Sequence, residues 1–443
     1  MMRRILLLCL SIVLTTTLVN AQEDVSLEQV VALALEKNYD IRIAEKAAES
    51  ATLDDDYAYN AFLPRVNATG ALVWNKNDQE VQTRSQTTGE IQTRKGPTAS
   101  NNLSGSVQLV WTLFDGLRMF ATRERIEMIA EQGELVVKDQ MVNTIASVTT
   151  NYYDIVRQKQ QLKAIQEQMS VSQERVKLAE LKFEVGTGAK PELLQARVDY
   201  NEQRTQALQQ ESLIEQLKKQ LNALVGMQLP TPYDVSDTII IELNLQREDI
   251  LNEIERTNYN LQVSRRNVDV ASFAIRERKA EFLPFLDFNA AYTYSETENT
   301  KVQSPFSPLF NLNTGFNYGL TLNIPIFNGM NQRRLAQQSK ITLNQQELLY
   351  EQQKVNVNVS AENAFTNYDN ARKILLVEEE NILLAKENVN IALAVFKRGA
   401  STFVELRTAQ QSLADAYTRL ITARYMAKAA EIELLRLNGS LLR

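Results

Sequence analysis

The acid–base and metal chemistry open to this 443-residue sequence is that of carboxylates. It has no histidine, and its one cysteine is Cys9. Histidine is the commonest general base and metal ligand, and cysteine the commonest soft ligand, so histidine-based triads and zinc sites are excluded. The acidic candidates are Asp54-Asp55-Asp56, Glu378-Glu379-Glu380, and Glu192 and Glu405, which each follow a glycine by six residues. Consecutive residues fan out around a helix axis, so neither triplet brings three carboxylates to one point; both read as solvated faces. Glu192 and Glu405 fall in the first turn of a predicted helix, where the helix dipole favours an acid. No glycine-rich phosphate loop, metal-ligand spacing or nucleophile elbow occurs. The sequence therefore reads as a non-enzyme without a cofactor.

The elements that carry these acids begin after a leader. Arg3 and Arg4 precede an apolar run from Ile5 to Val19, and Val19-Asn20-Ala21 supplies small residues where a signal peptidase cuts. Residues 1–21 read as a cleaved signal, which takes Cys9 with it and leaves a mature chain without disulfide or lipid anchor. Cleavage moves the net charge from -6 to -8, with 46 basic against 54 acidic residues. A mildly acidic chain argues against nucleic acid as a partner. No later stretch has the apolar length of a spanning helix, so an exported chain of this kind enters a membrane as β-strands.

The sequence is duplicated. Asn38-Tyr39 recurs as Asn258-Tyr259 and Phe62-Leu63-Pro64 as Phe282-Leu283-Pro284, both at an offset of 220. Phe114-x-Gly116 recurs as Phe327-x-Gly329, Phe183-x-x-Gly186 as Phe396-x-x-Gly399, and Gly226 as Gly439, all at an offset of 213. Five landmarks in order imply two copies of one unit, residues 22–226 and 246–443, joined by a linker at 227–245. The seven-residue change of register lies between Pro64 and Phe114 and is expected to fall in a loop.

Each copy opens on a predicted helix, Ser26 to Ala61 in the first, with Ser26 as N-cap and Pro64 as the stop. Strand pairs with alternating apolar and polar residues follow, at 62–75 and 103–114 and again at 284–296 and 314–327. The polar stretch 76–102 reads as the loop of the first pair. Alternation alone also suits a half-buried soluble strand. Three features favour lipid: segments of about ten residues, a long polar connection, and aromatics towards the ends of the apolar faces. Trp74, Trp111, Tyr292, Tyr294 and Tyr318 are the expected interfacial girdle. Four strands cannot close a barrel, since closed bacterial barrels start at about eight, so copies must associate; two chains would give eight strands and three would give twelve.

Long helices come next, at 117–183 and 330–397. Their apolar seams repeat every seven residues: Val148, Ile155, Leu162, Met169, Val176 and Phe183, then Ala361, Tyr368, Leu375, Ile382, Val389 and Phe396. Each helix would be about 100 Å long at 1.5 Å per residue. Turns at 184–190 and 398–402 lead into return helices, 191–226 and 403–439, with seams of their own. Sustained heptads mean coiled-coil packing. Taken alone they favour a soluble antiparallel coiled-coil rod; continuity with lipid-patterned strands places them instead as a periplasmic extension of a pore.

The turn segments, Phe183-Glu-Val-Gly186-Thr-Gly-Ala-Lys-Pro-Glu192-Leu-Leu-Gln-Ala196 and Phe396-Lys-Arg-Gly399-Ala-Ser-Thr-Phe-Val-Glu405-Leu-Arg-Thr-Ala409, resemble those of TolC-like outer membrane efflux proteins. So do the duplicated order of elements and the Phe-Leu-Pro before each strand pair. The resemblance implies an α+β membrane protein: a homotrimer with a 12-stranded transmembrane β-barrel, four strands per protomer, continued by a periplasmic α-helical coiled-coil barrel. It further implies a passive outer-membrane duct fed by an inner-membrane RND-type or ABC-type transporter through a periplasmic adaptor. In that family acids near the tips line the periplasmic entrance. Glu405 and Glu192 match that position, whereas Thr408 stands where some members carry a second acid. Gly186, Thr187, Gly188, Gly399, Ala400 and Ser401 become the expected adaptor-facing tips.

Overall fold

The computed structural model describes residues 23–84, 89–230, 232–236, 238–242, 244–304 and 307–442. The leader read at 1–21 lies outside them. Strand β1 (Glu23–Val25) leads into helices α1 (Leu27–Lys37) and α2 (Tyr39–Asp56), then strands β2 (Arg65–Arg84) and β3 (Ile91–Phe114). The long helix α3 (Arg118–Glu184) and its return helix α4 (Lys190–Leu224) complete the first copy, and β4 (Tyr233–Val235) lies in the linker. The second copy comprises α5 (Arg247–Thr257), α6 (Tyr259–Ala280), β5 (Phe285–Lys301), β6 (Phe310–Asn323), α7 (Asn331–Lys397) and α8 (Phe403–Leu437). Both α3 and α7 are 67 residues long, and both return helices 35. Among the described residues no helix is long and apolar enough to cross a membrane.

The chain forms two compact units, and they do not coincide with the repeats. One takes the described residues up to Ala48 with Gly133–Ser264 and the chain from Tyr350; the other takes Glu49–Gln132 and Arg265–Leu349. Each unit draws on both copies.

In the first unit, the apolar seams form the core. Val148, Tyr152 and Ile155 of α3 pack with Leu221 of α4 and with Val25, Val30 and Ala34 from the start of the chain. Ala371, Leu375 and Ile382 of α7 pack with Ala416, Leu420 and Ala427 of α8. β1 pairs in parallel with β4, Val25 against Val235. The Tyr152 hydroxyl ties this strap down, donating to the Val25 carbonyl (3.0 Å) and accepting from the Ser236 amide (3.1 Å). Tyr368 serves the other end of the linker, donating to the Glu242 carbonyl (2.6 Å) and accepting from the Leu245 amide (3.4 Å).

The predicted helix 26–61 is not continuous. It starts as expected, with Ser26 and Gln29 forming a reciprocal capping box. It then breaks at Asn38, whose backbone is extended (ψ 131°). The Asn38 side-chain oxygen accepts from the Asp40 and Ile41 amides (2.9 and 3.2 Å), while its amide group donates to the Leu224 carbonyl at the end of α4 (2.8 Å). Asn258 repeats the joint, accepting from the Leu261 amide (2.9 Å) and donating to the Leu437 carbonyl (2.9 Å). The recurring Asn-Tyr motif is thus a clamp, one end of each copy holding the other.

The second unit carries one antiparallel sheet in the order β2-β3-β5-β6. Its apolar residues share a face in register: Ala68, Val107, Tyr292 and Phe316 lie on one line across all four strands, and Leu109, Ala290 and Tyr318 lie on the next. Val66, Leu72, Trp74, Leu103, Val107, Phe316, Tyr318 and Leu320 are exposed, so none of the described residues covers this face. The span from Val66 to Trp74 measures about 26 Å along the strand at roughly 3.3 Å per residue.

Two strand predictions need correcting. The polar stretch 76–102 is not a loop. β2 runs on to Arg84 and β3 starts at Ile91, in unbroken register from Arg65↔Val110 to Arg84↔Ile91. Threonines and an ion pair between Glu80 and Lys95 (3.2 Å) suit a ribbon with solvent on both faces. The seven extra residues of the first copy therefore lengthen its strands, 20 and 24 residues against 17 and 14. The last strand ends at Asn323 rather than 327, because Pro325 has no N–H to continue the ladder.

Two stability outcomes follow from the first unit. Asn38→Ala and Asn258→Ala should each cost about 2 kcal/mol by removing a cap together with a buried donor. Asn→Asp, which keeps the cap oxygen, should recover part of that loss in thermal unfolding in detergent. The second concerns Asp234, which lies between Lys159 (2.9 Å) and Lys218 (3.6 Å). Burial raises its pKa, but the Lys159 and Val235 hydrogen bonds and both ammonium charges outweigh this and hold the carboxyl below the usual carboxylate range. That stabilisation is complete above the unfolded value of about 4 and is lost as pH falls through the folded value. Asp234→Asn should lower the unfolding midpoint at neutral pH and match the parent in acid; a gap that persists in acid would mean lost packing.

Candidate functional site: the helical tips and the junction above them

The two hairpins reverse by similar backbone devices. At the first, Gly186 takes φ +76°, and the Thr187 and Gly188 amides both bond back to the Lys182 carbonyl (2.9 and 2.8 Å). At the second, Gly399 takes φ +75° and the Ala400 amide bonds to the Val395 carbonyl (3.2 Å). A left-handed residue closing a helix in this way is the usual role of glycine at that position.

The restarts differ. α8 begins with a capping box: the Thr402 hydroxyl accepts from the Glu405 amide, and the Glu405 carboxylate accepts from the Thr402 amide, both at 3.3 Å. α4 begins at Ala189 with no side-chain cap and with Pro191 in its first turn. Glu192 lies in that turn and is exposed. Within the chain, then, Glu405 has a structural partner and Glu192 stands at an uncapped helix start. Ser401 has a buried hydroxyl without a hydrogen-bond partner among the described residues.

Packing at the tips is also unequal. Phe396 is 8% exposed, with the Lys182 ammonium over its ring at 4.1 Å, whereas the equivalent Phe183 is 41% exposed. Along the second copy every seam residue from Ala361 to Phe396 that ends a heptad is buried.

Above the tips lies a buried ionic junction that sequence reasoning missed. Arg175 of α3 donates to Asp199 of α4 at 2.6 Å, and their side chains are 3% and 9% exposed. Arg407 of α8 reaches the same carboxylate at 3.2 Å, Gln195 donates to it at 2.8 Å, and Gln410 accepts from Arg175 at 3.0 Å. The Arg175 guanidinium also lies 4.9 Å from the Phe403 ring centre. Burial pulls the Arg175 pKa down, and the Asp199 charge opposes it. Arg175, Asp199, Arg407 and Gln410 line a cavity of about 280 Å³ with Tyr417, whose hydroxyl donates to Glu167 (2.9 Å). Burial, reinforced by that carboxylate, pushes the Tyr417 hydroxyl up to about 12. A charge at 175, one residue from the seam position Val176, was the available sign that a polar group enters the core.

The remaining predicted residues are dispersed. Trp74 and Trp111 lie near opposite ends of the apolar sheet face, and Trp111 donates to the Phe62 carbonyl (2.9 Å). Tyr318, Tyr292 and Tyr294 fall on successive register lines within that face, and Tyr294 bonds to Glu296. The Glu378–Glu380 triplet is drawn into separate ion pairs, Glu378 with Arg419 (3.1 Å) and Glu379 with Arg424 (3.5 Å).

A sequence model for a family described as outer membrane efflux protein matches residues 30–227 and again 250–440, once per copy. The chain is 22% identical to the outer membrane protein TolC of Escherichia coli K12 over 342 residues, 74% of this chain and 67% of that protein. It is 22% identical over 426 residues to the cation efflux system protein CusC of Escherichia coli O157:H7, covering 93% and 85% of the two. Among solved structures, CusC superposes with a TM-score of 0.75 at 18% identity, covering 94% of this chain and 93% of that one. The Campylobacter jejuni CmeC outer membrane channel gives 0.74 at 16% identity, covering 93% and 85%. The fold is shared across that range.

The unequal caps predict unequal fraying. Amide hydrogen exchange should be faster across 186–192 than across 399–405, and Thr402→Ala, at about 1 kcal/mol for a lost cap, should remove the difference. Equal rates in the parent protein would reject the role assigned to the capping box.

Proposed function

The chain belongs to the outer membrane efflux protein family and is an outer-membrane efflux channel, and on that premise we propose that it works as a homotrimer. The observation that carries this reading is an asymmetry at the inner end of the sheet. The turn at Gly116 packs closely on the other copy: a Cβ there would meet the Ala280 carbonyl at 2.4 Å and Leu283 at 2.8 Å. Its counterpart Gly329 has nothing within 4 Å. By the internal offsets, the missing partners are Asn60 and Leu63 of a second chain. The edges β2 and β6 are likewise unpaired among the described residues, and β3·β5 is the template for joining them. An interface of this head-to-tail kind closes as a ring. Three chains give twelve strands, the barrel that the family resemblance implies.

In that ring the apolar face meets lipid and the other face lines the pore. The pore face is polar and mostly uncharged, with Asn67, Thr69, Ser106, Gln108, Asn289, Thr293, Asn313 and Asn317 on it and with Arg65 and Asp287 near the starts of β2 and β5. Such a wall passes solutes with little discrimination, so cargo selection is assigned to the pump. We assign the tips Gly186, Thr187, Gly188, Gly399, Ala400 and Ser401 to a periplasmic adaptor that links the channel to an inner-membrane transporter of the RND or ABC type. Glu405, repeated three times around the entrance, supplies a ring of negative charge.

Glutamine serves in a capping box as glutamate does, so Glu405→Gln removes the charge and keeps the cap. In planar bilayers the parent conductance should fall in acid or with divalent cations, and the variant should lose that sensitivity. Equal sensitivity in both would remove the ring. A detergent-extracted, heat-modifiable trimer in the outer-membrane fraction is the expected form of the protein, and a soluble rod would reject the assembly.

A further inference from the structure

The cavity of about 280 Å³ above the tips is walled by α3, α4 and α8 of a single chain, with Val389 of α7. A coiled-coil interior is ordinarily closed by apolar side chains, yet these walls carry Arg175, Asp199, Glu202, Gln203 and Gln410. Arg175 is 4% exposed, and its Nε–H has no hydrogen-bond partner among the described residues. Two other lining side chains share that condition, Gln410 through Nε2 and Gln203 through Oε1. The Gln410 amide is fixed in sense, because its oxygen accepts from a guanidinium, a group that can only donate. Its NH2 group is therefore a second unused donor beside that of Arg175. Native interiors seldom leave such groups unpaired, and a polar molecule in the cavity answers both.

Charge is distributed unevenly along the cavity. At the end nearer the tips two guanidiniums, Arg175 and Arg407, share the one carboxylate of Asp199, an excess of one positive charge. Glu202 lies three residues beyond Asp199 on α4, and Glu167 eight residues before Arg175 on α3, so both acids stand further from the tips. At 1.5 Å per residue they are displaced by about 4.5 and about 12 Å along the helix axes. Both are exposed, at the rim of the cavity rather than beneath it. Donors and positive charge at one end, with carboxylates at the other, match a molecule that carries a carboxylate and an ammonium a few bonds apart. A lone anion would meet Glu202 and Glu167, and a lone cation would leave the Arg175 and Gln410 donors unpaired. The volume is on the order of nine water molecules at about 30 Å³ each, the size of a dipeptide.

We propose that this cavity is a binding site for a dipeptide-sized zwitterion, whose carboxylate takes the Arg175 and Gln410 N–H groups and whose ammonium faces Glu202 and Glu167. Its contacts fall on α3 and α4 of the first hairpin and on α8 of the second, so a bound molecule links the two.

The test uses the purified full-length protein in detergent and three probes of similar size. Glycylglycine carries both charges, N-acetylglycine lacks the ammonium, and glycine methylamide lacks the carboxylate. Titration calorimetry should show saturable binding of glycylglycine and at least tenfold weaker binding of each of the others. Glycylglycine should also raise the thermal unfolding midpoint, as a ligand of the folded state does. Gln410→Glu keeps an oxygen for Arg175 and turns the free amide donor into a carboxylate oxygen, so it should abolish binding. Glu202→Gln, at an exposed position, should cut the advantage of glycylglycine over N-acetylglycine at least threefold. The proposal is overturned if glycylglycine shows no saturable binding up to about 10 mM, if the three probes bind alike, or if either variant binds as the parent does.

Discussion

A strand edge in hydrocarbon has no water to satisfy its N–H and C=O groups, so a sheet that enters lipid must have no edges at all. Four strands whose outer edges, on β2 and β6, are unpaired among the described residues cannot meet that condition in a single chain. Duplication is the economical answer, because the chain already contains one solved instance of the contact it needs. The β3·β5 pairing and the close approach of Gly116 to Ala280 and Leu283 join one copy to the other. Gly329 lacks that contact, with nothing within 4 Å, and in the proposed trimer a second chain supplies it. Each long helix follows a strand pair directly, α3 after β3 and α7 after β6.

What the sequence disclosed depended on which physical signal each element obeys. The long helices and their returns could be read because a heptad maintained over many turns has one interpretation, and the left-handed glycines mark where it stops. The turn landmarks Gly186 and Gly399 could be read for the same reason. The strands could be read only where one face is apolar. Beyond Trp74 both faces of the first hairpin are polar, so the alternation disappears from the sequence although the ladder continues to Arg84. The break at Asn38 was hidden differently. Its partner is the Leu224 carbonyl, 186 residues away, and only tertiary contact makes an extended asparagine preferable to another helical turn. The repeat of Asn-Tyr pointed to importance there without saying what kind.

The candidate site shows the same division. First-turn position is a local property, and it placed Glu192 and Glu405 at helix starts. It could not distinguish a glutamate bound into a reciprocal cap from one beside an uncapped Ala189, because the difference lies in Thr402 and its backbone. The Arg175–Asp199–Arg407 junction was less accessible still. Each of those residues, taken alone, reads as an ordinary charge on the outside of an amphipathic helix. They become one object only when three helices from two copies converge, and no periodicity within any one helix records that convergence.

Divergence between the copies is where the symmetric framework acquires direction. An exact duplication would make the two hairpins of a chain equal. Here the second hairpin carries the capping box, the fully buried seam and the shielded Phe396, while the first carries the uncapped helix start and the exposed Phe183. The buried Arg175–Asp199 pair belongs to the first hairpin, and the equivalent positions of the second are the neutral Asn388 and Ser412. Buried ion pairs add less to stability than to specificity, because desolvation offsets most of their attraction. Here the pair gives the second hairpin a fixed place against the first, because Arg407 reaches the same Asp199 carboxylate and Gln410 accepts from Arg175. Two copies that began alike are thereby made to meet in one register, with α8 held against the first hairpin by a contact that the first hairpin cannot offer to a copy of itself.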